Sequence, residues 1–338
     1  MTGDGPSGRG DAADAIADDA DDFRRYLRAK RTVDDRALDR RLVERLRERL
    51  TDRAAAVDGP LRVLEVGAGI GTMIARLIEW EVLPPGETRY VAVDRDTDAL
   101  AGVAPFLREW ASERGESVSV EDTSEFTDGE ETNALVVETD ARAVTVEAVA
   151  ADAVSYAAEH AGASDALIGM ALLDVLDLEG LETVLDALAP GGTYYFPITF
   201  DGGTRFRPSQ PGDRAIERLY HRHMDEKPGG NSRAGGAALA RLRAIKGASL
   251  LGVAGSDWVV GAVHGEAGYP ADEAFFLRHI LGTVEEAVGE IIATGGEGSL
   301  SAAELDAWLA ERRRQLETGE LVYLTHQLDL LGGVDGDV

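Results

Sequence analysis

A glycine-rich turn is the part of the sequence whose residue types and spacing are best suited to holding a ligand. It runs from Glu65 to Thr72 with the letters EVGAGIGT and follows a short apolar segment, so it joins a buried strand to a helix. Its glycines allow positive φ angles and keep side chains away from a ligand lying against the backbone. A dinucleotide-binding turn would need a glycine at Thr72, and the carboxylate of Glu65 suits a cationic ligand better than a phosphate. The turn therefore favours a ligand that carries an ammonium and a sulfonium group.

The segment from Leu61 to Trp80 resembles the first motif of the class I S-adenosylmethionine-dependent methyltransferases, whose pattern is E/D-x-G-x-G-x-G. The resemblance implies a Rossmann-like fold, methyltransferase activity and S-adenosyl-L-methionine as the cofactor. It also implies that the cofactor is bound by residues of this turn, which are Glu65, Gly67, Ala68, Gly69 and Gly71.

Later parts of the sequence are similar to further motifs of the same family. Asp94 closes the second predicted strand, where the family places an acid that hydrogen-bonds both ribose hydroxyls. By the same resemblance, Asp140 and Ala141 would lie near the adenine ring, and Met170 would lie along the cofactor. These matches extend from about Val63 to Phe200, and the rest of the chain carries no motif as specific.

Strand and helix patterns alternate around these motifs. The predicted strands are Leu61 to Val66, Tyr90 to Val93, Ala134 to Glu138, Ala166 to Leu172 and Thr193 to Thr199, and the predicted helices include Ala99 to Arg114, Val146 to His160 and Leu181 to Leu188. The alternation predicts an α/β fold with a doubly wound, mostly parallel sheet. The resemblance implies seven strands, of which the last, Leu321 to Leu328, is antiparallel, with helical additions at both ends of the chain.

The chain divides into segments of different composition. We predict a disordered acidic tail over 1–22, an N-terminal helical cap over 23–58, a cofactor-binding core over 59–200, a substrate-recognition insertion over 201–248, remaining strands with a helical cap over 249–331, and a flexible tail over 332–338. An acidic stretch near Glu121 to Glu131 is predicted to be a surface insertion. The segment from Lys30 to Leu38 fits either a lid over the cofactor or a capped helix with a solvated face.

The segment after Phe200 carries the candidates for acceptor binding and catalysis. Arg205 and Arg207 could hold an anionic acceptor together with Tyr220, while His221 or His223 removes its proton, because imidazole titrates near neutral pH. The alternative is a helical turn whose histidines have no catalytic role. Two histidines alone do not make a metal site, and no metal is predicted.

Acidic residues outnumber basic ones by 62 to 34, which gives a formal net charge of -28. Such a charge repels nucleic acid, so nucleic acid is an unlikely partner, and its even spread along the chain is typical of adaptation to high salt. There is no cysteine, and no apolar stretch reaches the length of a membrane-spanning helix. We therefore expect a cytoplasmic protein that acts on a small-molecule acceptor without a membrane.

Three other functions fit the same patterns. A nicotinamide-dependent oxidoreductase uses the same strand-turn-helix arrangement, although Thr72 argues against it. An aminopropyl transferase would use decarboxylated cofactor and hold a polyamine on acids such as Asp174 and Asp177. A noncatalytic protein could keep the same pocket, because a fold does not establish turnover.

Overall fold

The computed structural model describes residues 10–127, 130–263, 268–295 and 300–336. The strands are β1 Leu61–Val66, β2 Gly86–Asp94, β3 Val118–Thr127, β4 Glu130–Thr139, β5 Arg142–Ala150, β6 Ser164–Ile168, β7 Leu188–Arg207, β8 Ala248–Gly255, β9 Val259–Gly261 and β10 Val322–Val334. The helices are α1 Gly10–Ala37, α2 Arg40–Ala56, α3 Thr72–Glu79, α4 Thr97–Leu100, α5 Val103–Ser112, α6 Ala153–Glu159, α7 Leu181–Asp186, α8 Asp213–Glu226, α9 Ala234–Ala244, α10 Glu273–Ala293 and α11 Ala302–Glu317.

A single sheet unites the strands of the described residues in the order β3-β4-β5-β2-β1-β6-β7-β10-β8, with β9 paired to β10. The five central strands, from β5 to β7, are parallel, whereas β10 runs antiparallel to both of its long neighbours. The predicted doubly wound α/β fold with an antiparallel last strand is therefore confirmed. Ten strands are present in these residues rather than seven, because the β3–β4 hairpin extends one edge and β9 pairs with the start of β10.

The third parallel strand lies later in the chain than predicted. The segment expected to be a helix, Val146 to His160, contains the end of β5 followed by the short helix α6. Val144 and Val146 are buried on alternate positions of β5, which is the pattern of a strand, whereas the predicted third strand is β4 of an antiparallel hairpin. The alanines and acids of this segment are compatible with either structure in isolation, and pairing with β2 selects the strand.

Both ends of the chain and one internal boundary also differ from the expectation. Helix α1 begins at Gly10, so residues 10–22 are helical rather than disordered, while 1–9 lie outside the described residues. Strand β7 continues past residue 200 to Arg207 because it pairs with the first half of β10. Strand β10 in turn includes 332–334, which were expected in a flexible tail, and 337–338 lie outside the described residues.

Helix α1 is fastened to the start of α10. The carboxylate of Glu273, which is fully buried, accepts hydrogen bonds from Arg36 Nη2 at 2.8 Å and from Thr32 Oγ1 at 2.8 Å. Arg25 pairs with Asp272 at 2.8 Å on the exposed side of the same contact. These contacts hold α1 across the carboxyl ends of the central strands. Within the described part of the chain, no helix is both long enough and apolar enough to cross a membrane.

Candidate active site

A cavity of about 770 Å³ opens along the carboxyl ends of the parallel strands. Its lining follows the sheet order, from Ala151 after β5, through Asp94 at the end of β2 and Gly67 after β1, to Met170 after β6 and Ile198 in β7. The cavity therefore spans the point between β1 and β6 at which the strand order reverses, where open α/β sheets bind their ligands. Its volume is in the range of small-molecule and cofactor pockets.

The glycine turn forms the wall of the cavity next to β1. Gly67, Gly69 and Gly71 have φ angles of 73°, 55° and 79°, in the left-handed region that favours glycine. The N–H groups of Gly67 and Ala68 donate to the carbonyl of Val93 at 2.8 and 3.1 Å, which ties the turn to the end of β2. Gly67 and Gly69 line the cavity, and Gly71 precedes the first residue of α3. Ala68 and Gly71 belong to the turn but do not line the cavity.

Asp94 organises the backbone where the turn meets β2. Its Oδ2 accepts the Gly69 N–H at 2.8 Å, and its Oδ1 accepts the Asp96 N–H at 2.9 Å. Each carboxylate oxygen has two lone pairs, so both oxygens keep capacity for a further donor. Asp94 lines the cavity and is partly exposed to it. The carboxylate is thus fixed in position and can still accept hydrogen bonds from a ligand.

Glu65 forms the floor of the cavity. Only 2 % of the residue is exposed, and Oε2 accepts a hydrogen bond from Tyr90 Oη at 2.8 Å. Burial raises the pKa of Glu65 to about 8, against the opposing effects of the Tyr90 hydrogen bond and the charge of Arg76. Glu65 is therefore mostly protonated at neutral pH when the cavity holds no cationic ligand. A cationic ligand would favour its ionised form.

The acid that follows the third parallel strand is Asp152, not Asp140. Asp140 and Ala141 lie in the turn between β4 and β5, at the opposite end of the parallel strands, where the Ala141 carbonyl accepts the N–H of Gly86. Asp152 lines the cavity, and its side chain caps α6 by accepting the Ser155 N–H at 2.9 Å. Asp140 and Ala141 therefore do not line the cavity, whereas the segment from Ala151 to Val154 does. The signal available in the sequence was an aspartate two residues after the end of β5 at Ala150.

Two strained residues lie in the middle of the cavity. Ala171 and Ile198 have positive φ angles of 49° and 56° without being glycine, and both line the cavity next to Met170. The buried carboxylate of Asp329 holds Ile198 in place by accepting its N–H at 2.9 Å, and the Ala171 N–H donates to the Pro197 carbonyl at 3.0 Å. Such strain persists only where surrounding contacts enforce it, and it is frequent at functional sites.

One face of α1 closes the cavity from above. Phe23, Tyr26, Leu27, Lys30 and Asp34 recur at helical spacing and all line the cavity. The lid interpretation of the segment beginning at Lys30 is consistent with this placement. Asp34 does not cap the next helix, because that role belongs to Asp39, whose side chain accepts the N–H groups of Arg41 and Leu42.

The cavity has two halves that differ in composition. We call the half next to β5, β2 and β1 the glycine-turn compartment. The half over β6, β7 and β10 is named the aromatic compartment, and its defining residues are Tyr26, Asp174, Tyr220, Trp258, Tyr323, Thr325 and Gln327. Tyr26 interacts electrostatically with both Asp174 and Tyr220, and Tyr323 interacts with Tyr220 and Tyr26. All four side chains line this half of the cavity.

Burial dominates the electrostatics of the aromatic compartment. It raises the pKa of Asp174 to about 6 and that of Tyr220 to about 12. Lys30 and Asp34 form an ion pair there, with Nζ and Oδ2 2.7 Å apart, and the indole N–H of Trp258 donates to Asp34 Oδ1 at 3.0 Å. Asp34 therefore has both of its oxygens satisfied. The Oδ1 atom of Asp174 is buried and has no hydrogen-bond partner.

Of the predicted acceptor-binding and catalytic residues, only Tyr220 lines the cavity. Arg205 and Arg207 lie in a separate depression beside the start of α8. His221 Nε2 is 3.0 Å from Thr204 Oγ1, and burial lowers the pKa of this histidine. His223 is buried between α8 and α10, with Nε2 2.7 Å from Glu290 Oε2. The structure thus separates these four side chains from the cavity that the catalytic interpretation requires.

Carboxylates dominate the charge of the cavity. Within the described residues, the lining includes seven acids, which are Asp34, Glu65, Asp94, Asp96, Asp152, Asp174 and Asp177, and two cations, Lys30 and Arg95. An anionic ligand such as a pyrophosphate would meet unfavourable electrostatics here, whereas a cation would be attracted. No group of three or more histidine or acidic side chains in the described part of the chain is arranged to hold a metal ion.

Known proteins are similar to this chain in structure but hardly in sequence. The sequence matches neither a protein-family model nor a curated protein. Similar solved structures include a putative methyltransferase from Bacillus halodurans, with 13 % identity, a TM-score of 0.44, and coverage of 87 % of this chain and 99 % of that one. The YcgJ protein of Bacillus subtilis has 13 % identity and a TM-score of 0.45, covering 89 % and 100 %.

A third similar structure is an S-adenosylmethionine-dependent methyltransferase from Thiobacillus denitrificans in complex with S-adenosyl-L-homocysteine. It has 13 % identity and a TM-score of 0.39, with coverage of 88 % of this chain and 92 % of that one. Because all three TM-scores are below 0.5, the function of this chain has to be inferred from its own contacts.

Proposed function

We propose that the protein is a methyltransferase that uses S-adenosyl-L-methionine to methylate a small-molecule acceptor. The observation that carries the proposal is that one cavity combines a positive-φ glycine turn, a fixed carboxylate at Asp94 and a second compartment lined by aromatic residues. The first two features suit an adenosyl group, and the third suits a separate acceptor.

The residues of the glycine-turn compartment match the chemistry of this cofactor. Asp94 has free lone pairs for the two ribose hydroxyls, and Ala151 to Val154 would lie along the adenine. Gly67 leaves room for the ligand, because a Cβ at this position would already lie 3.0 Å from Leu172 Cδ1. The acidic lining, with Glu65 at the floor, suits the sulfonium and ammonium groups.

The protein would contribute positioning and the exclusion of water. S-adenosyl-L-methionine supplies a methyl group already activated on a sulfonium, so the acceptor must be held in line with it. Met170, Ala171 and Ile198 lie between the two compartments, and the strained backbone of Ala171 and Ile198 shapes the region where the compartments meet. Helix α1 covers the cavity and limits the access of bulk water.

The acidic lining of the cavity also distinguishes between the other functions considered. The excess of acids in the lining disfavours a nicotinamide dinucleotide, whose pyrophosphate carries negative charge. Aminopropyl transfer is a second candidate, because Asp174 lines the cavity with an unpartnered buried oxygen that could face a polyamine. Cytoplasmic location and adaptation to high salt stay predictions from composition.

Transfer of labelled methyl groups from S-adenosyl-L-methionine into a small-molecule extract tests the proposal. We expect labelled product with the wild type and at least about 100-fold less with Gly67→Val, because the new side chain would crowd Leu172 and the ligand space. Gly115→Val is the matched control. Gly115 has a similar φ of 64° but no neighbour within 4 Å of an added Cβ, so this variant should keep its activity. Absence of labelled product with the wild type would contradict the proposal.

A further inference from the structure

The aromatic compartment contains polar atoms whose hydrogen bonds are not satisfied within the protein. Asp174 Oδ1, Thr325 Oγ1 and Gln327 Oε1 are all buried without a hydrogen-bond partner, and their residues line the cavity. Thr325 and Gln327 are only 5 % and 2 % exposed. A buried polar atom without a partner is costly, so its presence in a cavity points to a ligand group that completes it.

The unsatisfied atoms share one chemical character. A carboxylate oxygen, a hydroxyl oxygen and an amide oxygen all accept hydrogen bonds. The ionised Asp174 carboxylate and Gln327 Oε1 can only accept, whereas the Thr325 hydroxyl can also donate. A ligand that completes the two obligate acceptors has to supply donors, and a primary ammonium group supplies three N–H donors from one atom. A carboxylate or phosphate ligand supplies none.

The charges of the compartment have the matching sign. Lys30 and Asp34 neutralise each other in their ion pair, and the other Asp34 oxygen is satisfied by Trp258. Asp174 has no cation bonded to it; Lys30 acts on it only at longer range. The compartment therefore holds one uncompensated negative charge when Asp174 is ionised, which a ligand with a single positive charge would balance.

Aromatic rings complete the surroundings of Asp174. Tyr26 from α1 and Tyr220 from α8 interact electrostatically with this carboxylate, and Tyr323 from β10 interacts with both tyrosines. Tyrosine and tryptophan faces attract organic cations, most strongly where water is excluded. Rings from α1 and α8 thus interact with the carboxylate, and Tyr323 of β10 lines the same cavity, which gives a setting suited to an ammonium group on an apolar body.

We propose that the acceptor is an organic amine, bound through its ammonium group to Asp174 and enclosed by the rings of Tyr26, Tyr220 and Tyr323. This inference rests on the proposed function, since it names the class of molecule that enters the second compartment. It replaces the anionic acceptor expected from Arg205 and Arg207, because both of those side chains lie outside the cavity.

Three probes of similar shape test the inference by calorimetry on protein saturated with S-adenosylhomocysteine. They are 2-phenylethylamine, 2-phenylethanol and 3-phenylpropionate, which differ in carrying a cation, a neutral group or an anion. At about pH 8 the amine should bind at least about tenfold more tightly than the other two, since Asp174 is then ionised. Equal or tighter binding of the alcohol or the anion, or no binding of any probe, would overturn the inference.

A substitution at Asp174 tests whether this carboxylate is responsible for amine binding. Asp174→Asn should weaken binding of 2-phenylethylamine at least about tenfold and leave the affinity for S-adenosylhomocysteine within about twofold. Asp186→Asn, which changes an exposed carboxylate on α7, is the control and should leave both affinities unchanged. Unchanged amine binding in Asp174→Asn would contradict the assignment. Failure of S-adenosylhomocysteine to bind the wild type would instead overturn the proposed function, and with it this inference.

A pH series on the wild type gives a second test that needs no variant. Asp174 is faced by Tyr26 and Lys30 of α1 and by Tyr220 of α8, and burial raises the pKa of both tyrosines, so neither ionises below neutral pH. Amine binding should therefore fall by about tenfold per unit as the pH drops below about 6. Binding that does not change between about pH 5 and pH 8 would contradict the role of Asp174.

Discussion

The two compartments of the cavity are built in different ways. The glycine-turn compartment consists of segments that directly follow consecutive parallel strands, and its polar groups are largely bonded to one another, as Asp94 is to Gly69 and Asp96. The aromatic compartment brings together α1, α8, β10 and the segment after β6, and it keeps three buried oxygens without partners. The glycine-turn compartment is therefore preorganised for a ligand that many proteins share. The aromatic compartment carries unmet polar groups, which are typical of a site that selects its own ligand.

The largest expected effect concerns Glu65, the floor of the cavity. Its pKa of about 8 lies above the ordinary value of 4.5, so the folded protein holds a proton that the unfolded chain loses. The stability due to this proton is present below about pH 4.5 and is lost as the pH rises through about 8. The free energy of unfolding of Glu65→Gln, relative to that of the wild type, should therefore rise by as much as about 5 kcal/mol between about pH 4 and pH 9. Denaturant unfolding at a series of pH values measures this difference. A difference that does not change with pH would contradict this account of Glu65.

Two aspartates of the aromatic compartment should respond in opposite directions. Burial raises the pKa of Asp34 too, but Asp34→Asn leaves the buried Lys30 without its counter-charge and should lower the free energy of unfolding by about 3 kcal/mol or more. Asp174→Asn removes a carboxylate whose raised pKa penalises the folded state above about pH 6, so it should raise the free energy of unfolding by up to about 3 kcal/mol at about pH 8. Destabilisation by both substitutions would show that Asp174 has a structural partner and would remove the contrast between the two acids.

The next effect tests which of two acids, Asp94 in the cavity or Asp140 outside it, contributes to cofactor binding. Asp94→Ala should weaken binding of S-adenosylhomocysteine at least about 100-fold, because it removes charge-assisted hydrogen bonds worth about 1.5 to 3 kcal/mol each. Asp140→Ala, at the far end of the strands, should leave the affinity unchanged. Calorimetry on the two variants measures both, and an equal loss in each would mean that the turn after β4 contributes to binding.

The smallest effect is expected at the histidines. His223 bonds to Glu290 between α8 and α10, and His221 bonds to Thr204, so neither side chain reaches the cavity. Alanine at either position should change turnover by less than about threefold, since a general base has to lie within hydrogen-bonding reach of the acceptor. A loss of about 100-fold in turnover with normal S-adenosylhomocysteine binding would restore the catalytic interpretation.

The sequence predicts one compartment much better than the other for a physical reason. The glycine turn and Asp94 follow their strands directly, so local patterns place Glu65, Gly67 and Asp94 together at one edge of the sheet. The same reasoning fails at the β3–β4 hairpin. The third parallel strand was predicted at β4 although it is β5, and Asp140 was therefore chosen instead of Asp152. Pairing between strands decided that assignment, and pairing is not a local property.

The sequence did not predict that the residues of the aromatic compartment lie together. Tyr26, Asp174 and Tyr323 are separated by more than a hundred residues in each step along the chain, and only the order β7-β10 and the docking of α1 bring them together. Arg205, Arg207, His221 and His223 looked more suitable because they cluster in sequence. In the structure the two arginines lie in a separate depression, while His221 bonds to Thr204 of β7 and His223 bonds to Glu290 of α10.

The most direct test of the central claim is a calorimetric titration of the wild-type protein with S-adenosylhomocysteine, decarboxylated S-adenosylmethionine and NAD⁺. An acidic cavity with a glycine turn and a fixed Asp94 should bind S-adenosylhomocysteine at one site per chain, at least about 100-fold more tightly than NAD⁺. Preference for the decarboxylated compound would favour aminopropyl transfer. Binding of NAD⁺ with no heat from S-adenosylhomocysteine would contradict the account.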